Sequence, residues 1–159
     1  MTKKNVLVLC TGNSARSQMA EGIINHLLAG SWRAVSAGTK PVGYVHPLAI
    51  YVMSELGIDI AGHHSKSTDE FRGQRFDQII TVCDNAAGEA CPFWPGKPVS
   101  AHWGVPDPAA VEGSEEQRLK AFKDAALILR RRIELFLSLP LQRLDAMSLQ
   151  RELRNIGQE

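Results

Sequence analysis

An unbroken apolar run, Val6-Leu7-Val8-Leu9-Cys10, stops at Thr11-Gly12-Asn13, and a helical pattern follows a few residues later. This junction constrains the fold more than any other feature of the chain. A short run with no alternating polar residues is a strand buried on both faces, the signature of a parallel sheet. Parallel strands cannot be joined by tight hairpins, so each needs a crossover, usually a helix. The remaining sequence supplies these. Over about 16–28, Met19, Ala20, Ile23, Ile24, Leu27 and Leu28 recur at helical spacing, and Gly30 ends the helix. Trp32 to Ala37 predicts a second strand, Pro47 to Leu56 a helix stopped by Gly57, Phe76 to Cys83 a third strand, and Val99 to Trp103 a weaker fourth. A long helix is expected over 115–138. Ser114 and Gln117 form a capping box, Leu119, Phe122, Ala126, Leu129, Ile133 and Phe136 one apolar stripe, and Pro140 the stop. In the tail, Leu149, Leu153 and Ile156 share a helical face ahead of Gly157, predicting a helix that packs on the body or binds a partner. Strands alternating with helices give an α/β fold, a parallel sheet with helices on both faces.

A length of 159 residues suits one domain, and no repeat or linker divides it. A net charge of +1 gives no long-range field for nucleic acid or an anionic membrane, so neither is expected as a partner. The first apolar run is too short for a signal peptide, which needs roughly 7–15 apolar residues, or a membrane span of about 20, so a cytoplasmic protein is expected. Cys10, Cys83 and Cys91 make an odd number of thiols, which argues against a disulfide framework and toward a catalytic or transient redox role. They contain no Cys-x2-Cys pair, so neither a structural metal nor a cofactor is expected.

The informative chemistry lies in Cys10-Thr11-Gly12-Asn13-Ser14-Ala15-Arg16-Ser17. Between a strand end and a helix start, small residues let backbone N–H groups converge, and the helix terminus adds partial positive charge. The product is a cradle for a tetrahedral oxyanion. Arg16 is placed to hold two of its oxygens, and Cys10 starts the loop where the same field favours a nucleophilic thiolate. Asp107 lies between Pro106 and Pro108, and the following proline keeps it out of the helical region. A carboxyl fixed on a loop suits a general acid, and equally an ordinary Asp-Pro turn. The pair His63-His64 alone is more in keeping with solvated loop histidines than with metal ligands. His102, Trp103 and Trp94 fit packing roles, and Arg130-Arg131-Arg132 a solvated helix face.

With these residues in view, the chain resembles the low-molecular-weight tyrosine phosphatase fold, and more narrowly the arsenate reductases built on it. The motifs are the Cys10–Ser17 loop with Gln18-Met19-Ala20-Glu21, Ser36-Ala37-Gly38, Thr81-Val82-Cys83, Cys91-Pro92 and His102-Trp103-Gly104-Val105-Pro106-Asp107-Pro108. The resemblance runs from about 5 to 136. It implies a flavodoxin-like three-layer fold with four parallel strands. Residues 1–138 would form the catalytic domain and 139–159 a C-terminal helical extension.

It also implies arsenate as substrate, with Cys10, Arg16 and Asp107 catalytic. Cys10 attacks arsenic, Asp107 protonates a departing oxygen, Cys83 then attacks Cys10, and Cys91 attacks Cys83 to carry the disulfide outward. Asn13, Ser17, Ser36 and His63 match positions that brace the loop. Phosphatases of this fold follow the Asp-Pro with tyrosines, whereas Ala109-Ala110 stand here, which favours a small inorganic oxyanion over an aryl phosphate. Hydrolysis of phosphate monoesters through Cys10 is the alternative. The Cys83–Cys91 spacing is one residue longer than usual in thioredoxin-coupled members, leaving thioredoxin and glutathione with glutaredoxin both open as reductant. Were residues 83–91 helical, their Cα atoms would stand about 12 Å apart. A disulfide needs ~7 Å or less, so a looped or rearranging segment is expected. Some members bind potassium through Asn, Glu, Ser and Asp. Here Asn13, Glu21 and Ser36 match, but Lys66 stands at the aspartate position. Its ammonium is expected to replace the cation beside Glu21, making activity independent of potassium.

Overall fold

A computed structural model of the chain describes residues 4–27, 30–82, 99–137 and 146–157. Four parallel strands, β1 (Lys4–Cys10), β2 (Trp32–Gly38), β3 (Gln78–Thr81) and β4 (Val99–His102), form one sheet in the order β2-β1-β3-β4. The helices are α1 (Arg16–Leu27), α2 (Pro47–Glu55), α3 (Glu115–Leu137) and α4 (Ala146–Gly157). Val6 to Cys10 are all buried, as a strand covered on both sides requires. Val6, Val8 and Cys10 join the larger core with Ile23, Met53, Phe122 and Leu153, to which all four helices contribute. Leu7 and Leu9 point the other way, into a smaller core with Ala37, Ile79 and Phe76. Phe71, from a 3-10 turn over Thr68–Phe71, packs against that second core.

The third strand is shorter than the predicted 76–83. Its pairing nevertheless continues at both ends, through Asp77 N–H to the Asn5 carbonyl and Val82 N–H to the Leu9 carbonyl. Cys83, Cys91, Trp94 and Pro140 lie outside the described residues. The helix ends follow side-chain chemistry. At the end of α2, Gly57 takes φ +80°, and the N–H groups of Gly57 and Ile58 return to the carbonyls of Ser54 and Met53. At the start of α3 the capping box is formed, Ser114 N–H to Gln117 Oε1 at 2.9 Å and Gln117 N–H to Ser114 Oγ at 3.2 Å.

One reading of α3 is corrected. Arg131 is exposed and Arg130 pairs with Glu134 at 3.0 Å, but Arg132 is buried and donates to the Gly104 carbonyl at 2.8 Å. Arg132 adjoins Ile133 and lies three residues past Leu129, so the helix turns it inward. A partly buried carbonyl on the loop after β4 is its partner. Helix α4 packs on the body: Leu149, Leu153 and Ile156 are buried, and the Trp103 indole donates to the Leu153 carbonyl at 2.9 Å. Gly157 belongs to its last turn. A Cβ there would stand 2.5 Å from the His102 carbonyl oxygen, so the missing side chain permits the approach to β4.

Candidate active site

In a parallel sheet all strands end at one edge, and β1, flanked by β2 and β3, is where the chain switches direction. Cys10 ends β1 there, 3% exposed. The loop that follows is shaped by a strap some thirty residues downstream. Thr39, Lys40, Val42 and His46 donate their N–H groups to the carbonyls of Cys10, Thr11, Gly12 and Ser14, at 3.2, 2.9, 3.0 and 3.0 Å. Ser65 Oγ adds a bond to the Gly12 carbonyl at 3.0 Å. In a planar trans peptide the N–H points opposite to its carbonyl. Four carbonyls held outward therefore turn the N–H groups of Thr11, Gly12, Asn13 and Ala15 inward, toward the space that Cys10 opens and the first turn of α1 closes.

Asn13 makes the turn possible. Its φ is +49°, a left-handed conformation that asparagine tolerates better than most residues. Its amide is saturated. Nδ2 donates to Ser17 Oγ and Ser36 Oγ at 2.8 and 2.9 Å, while Oδ1 accepts from Gln18 Nε2 and the Lys66 N–H, both at 2.9 Å. Gly38, at the end of β2, lies so close that a Cβ would collide with the Thr11 carbonyl oxygen.

Behind this layer sits a buried ionic cluster. Ser36 Oγ donates to Glu21 Oε1 at 3.0 Å. The Lys66 ammonium is 3.5 Å from the same oxygen, with both side chains 9% exposed. His63 Nδ1 lies 2.9 Å from Glu21 Oε2 and 3.1 Å from Gln18 Oε1, both acceptors, so Nδ1 carries a proton. Burial pushes the Glu21 carboxyl up. The hydrogen bond from His63, the Lys66 ammonium and the Ser36 hydroxyl outweigh it and hold the carboxyl below its ordinary 4.5. Asn13, Ser17, Ser36 and His63 thus stand together behind the loop, and Lys66 pairs with Glu21. His63 is not a solvated loop residue; His64 is, with its side chain 72% exposed. Among the described residues, no group of three or more His, Cys, Asp or Glu side chains could hold a metal ion.

Arg16 bridges two loops. Its Nη1 donates to the Val105 carbonyl at 2.9 Å, and its Nη2 stands 3.6 Å from Asp107 Oδ2. Val105 is itself fixed by its N–H to the Val82 carbonyl at 3.0 Å. Asp107 accepts from the Ala109 N–H at 3.0 Å, capping the short turn Pro108–Ala110. It remains half exposed at the rim. Asp107, distant in sequence, is therefore brought to Cys10 and Arg16 at one end of the sheet. Ala109 and Ala110, next to the acid, are exposed. Trp103 is buried, as expected of a packing residue, while His102 is exposed, its Nδ1 2.7 Å from Thr81 Oγ1. Gln18 and the strap 39–46 were not singled out by the sequence. Gln18 lies on the side of α1 opposite the apolar stripe, where a polar residue is unremarkable, and the strap has no periodicity to betray it.

Similarity to known proteins agrees with this geometry. The chain is 40% identical over 136 residues to an arsenate reductase of Halalkalibacterium halodurans, covering 86% of this chain and 96% of that one. It is 43% identical over 120 residues to an arsenate reductase of Staphylococcus aureus, covering 76% and 90%. Among solved structures, an arsenate reductase in its oxidized state superimposes with a TM-score of 0.70 at 32% identity, covering 82% of this chain and 94% of that one. A low molecular weight protein tyrosine phosphatase from T. tengcongensis superimposes at 0.62 with 27% identity, covering 83% and 96%. Residues 5–152 match the family described as low molecular weight phosphotyrosine protein phosphatase, nearly the whole chain, and the chain belongs to that family.

Proposed function

We propose that the chain is an arsenate reductase in which the loop from Cys10 to Ser17 holds the oxyanion. The observation that carries this is the meeting of Cys10, the inward N–H groups and the Arg16–Asp107 pair at one sheet edge. The choice of reductase over hydrolase rests on the likeness to arsenate reductases at 40% and 43% identity, and on exposed Ala109-Ala110 where an aryl substrate would want aromatic walls. In the reaction, the Cys10 thiolate bonds to arsenic as one oxygen, protonated by Asp107, leaves as water. Arg16 and the loop N–H groups balance the charge that builds on the remaining oxygens. The Cys83 thiolate then attacks Cys10 Sγ. A sulfur–sulfur bond forms, the sulfur–arsenic bond breaks, and its electron pair stays on arsenic, reducing As(V) to As(III). Attack of Cys91 on Cys83 frees the Cys10 thiolate. An external thiol reductant, thioredoxin or glutathione with glutaredoxin, returns the two electrons, as a cycle in a reducing cytoplasm requires. Among the described residues, no helix is long and apolar enough to cross a membrane.

Hydrolysis of phosphate monoesters is the second reading, favoured by the family match and needing only Cys10, Arg16 and Asp107. The test is NADPH oxidation by the purified protein with arsenate, run with thioredoxin and thioredoxin reductase beside glutathione and glutaredoxin, for wild type and Cys91→Ser. Arsenate-dependent turnover lost in Cys91→Ser supports the three-thiol relay. Hydrolysis of an aryl phosphate without arsenate turnover replaces the reductase by the phosphatase.

A further inference from the structure

His46 stands where three parts of the site meet. Its backbone N–H holds the Ser14 carbonyl of the oxyanion loop at 3.0 Å. Its side chain caps α2, with Nδ1 accepting the Leu48 N–H at 3.1 Å. Its ring lies on Phe122 of α3, centroids 4.5 Å apart. The cap fixes the tautomer: Nδ1 must present a lone pair, so the proton of the neutral ring is on Nε2. Aspartate, asparagine, serine or threonine would cap a helix at any ordinary pH. Histidine caps it only while unprotonated, because an imidazolium has a donor at both nitrogens.

We propose that His46 is a positioning residue of the oxyanion loop, acting only while its Nδ1 is free to cap α2, so that its protonation loosens the strap holding the Ser14 carbonyl and slows turnover.

The charges bearing on the ring, among the described residues, are Arg118 of α3 and Asp107 on the loop after β4. Partial burial and the Arg118 cation disfavour the imidazolium, the Asp107 carboxylate favours it, and the balance keeps the ring neutral below its ordinary 6.5. The cap is thus intact near neutrality and fails in mild acid. One pH unit below its midpoint, only about a tenth of a single titrating group remains neutral. Asp107 faces the same ring, so the acid that protonates the leaving oxygen and the group that keeps the loop in shape sense each other's charge.

The test compares wild type, His46→Asn and His46→Ala. Asparagine supplies a cap acceptor that does not titrate. The kcat of wild type relative to His46→Asn is expected to fall along the His46 titration, about ten-fold one pH unit below its midpoint. His46→Ala is expected to be slower than either at pH 8, with Asn rescuing it. The activity arm rests on the arsenate-reducing reading. A second arm does not: in the reduced, full-length protein, the Leu48 amide resonance of wild type should shift with the His46 imidazole titration and stay fixed in His46→Asn. The proposal is overturned if Leu48 ignores that titration, or if wild type and His46→Asn lose kcat in parallel. Should no variant turn over arsenate, the functional reading fails and the Leu48 titration still decides whether His46 gates the cap.

Discussion

Replacing Lys66 by methionine tests how the oxyanion loop is supported. Methionine keeps the length of the stem and removes the charge. At 3.5 Å, the attraction between Lys66 and Glu21 is about 5 kcal/mol at an effective dielectric of 20. Much of this is offset in the wild type by the cost of burying both ions. The variant keeps that cost for Glu21 and loses its cation. Removing one partner of a buried pair typically costs about 3–5 kcal/mol. Here His63, 2.9 Å from the other carboxylate oxygen, and the Ser36 hydroxyl at 3.0 Å remain. The expected loss is therefore at or below the lower end of that range, roughly 2–3 kcal/mol. For a chain of this size that corresponds to a melting temperature lower by about 4–12 °C. Thermal and urea denaturation of the reduced protein measure it. Adding Glu21→Gln to Lys66→Met should recover at least half of the loss, because the orphan charge goes. A Lys66→Met variant as stable as wild type, or a double variant worse than the single, would refute the picture of a buried, mutually dependent pair.

Other outcomes follow from the same geometry. Exchanging sodium for potassium at constant ionic strength should leave turnover unchanged; a clear rise would show that Lys66 does not stand in for the cation. The Glu21 carboxyl is held below 4.5, so the folded state binds its proton more weakly than the unfolded chain. Its contribution is complete above about 4.5 and is lost as pH falls through the lower folded value, giving an acid slope in urea midpoints that Glu21→Gln lacks. Gly38→Ala would press a methyl on the Thr11 carbonyl and Asn13, costing about 1–3 kcal/mol and weakening phosphate binding measured by calorimetry. Asp107→Asn should lower kcat by roughly 100-fold or more while phosphate still binds; an unchanged kcat would remove Asp107 as the acid.

The strands and helices were legible because each carries its own period. The run to Cys10, the stripe on α3 and the Ser114–Gln117 box are local patterns whose physics does not depend on distant chain. Arg132 reads differently for the opposite reason: a charge on a helix is solvated by default, and only the Gly104 carbonyl, supplied by another segment, reverses that. In the site, Cys10, Arg16 and Asp107 were legible through loop chemistry and family resemblance. Gln18 and the strap were not, because their roles consist of bonds to Asn13 and to loop carbonyls that exist only once the chain has folded.

That strap limits what the loop motif can do in isolation. The carbonyls of Cys10, Thr11, Gly12 and Ser14 are restrained by residues 39–46, which lie beyond α1 and β2 in the chain. Copying Cys10–Ser17 into the strand–helix junction of an unrelated scaffold would copy the reactive groups without the restraint. Released carbonyls could rotate into the space meant for the anion, where they would repel it. In such a graft, the segment from Thr39 to His46 is as much a part of the loop's architecture as the thiol, and with Ser65 on the Gly12 carbonyl and the Lys66 N–H on Asn13 the smallest transferable unit extends from β1 to Lys66.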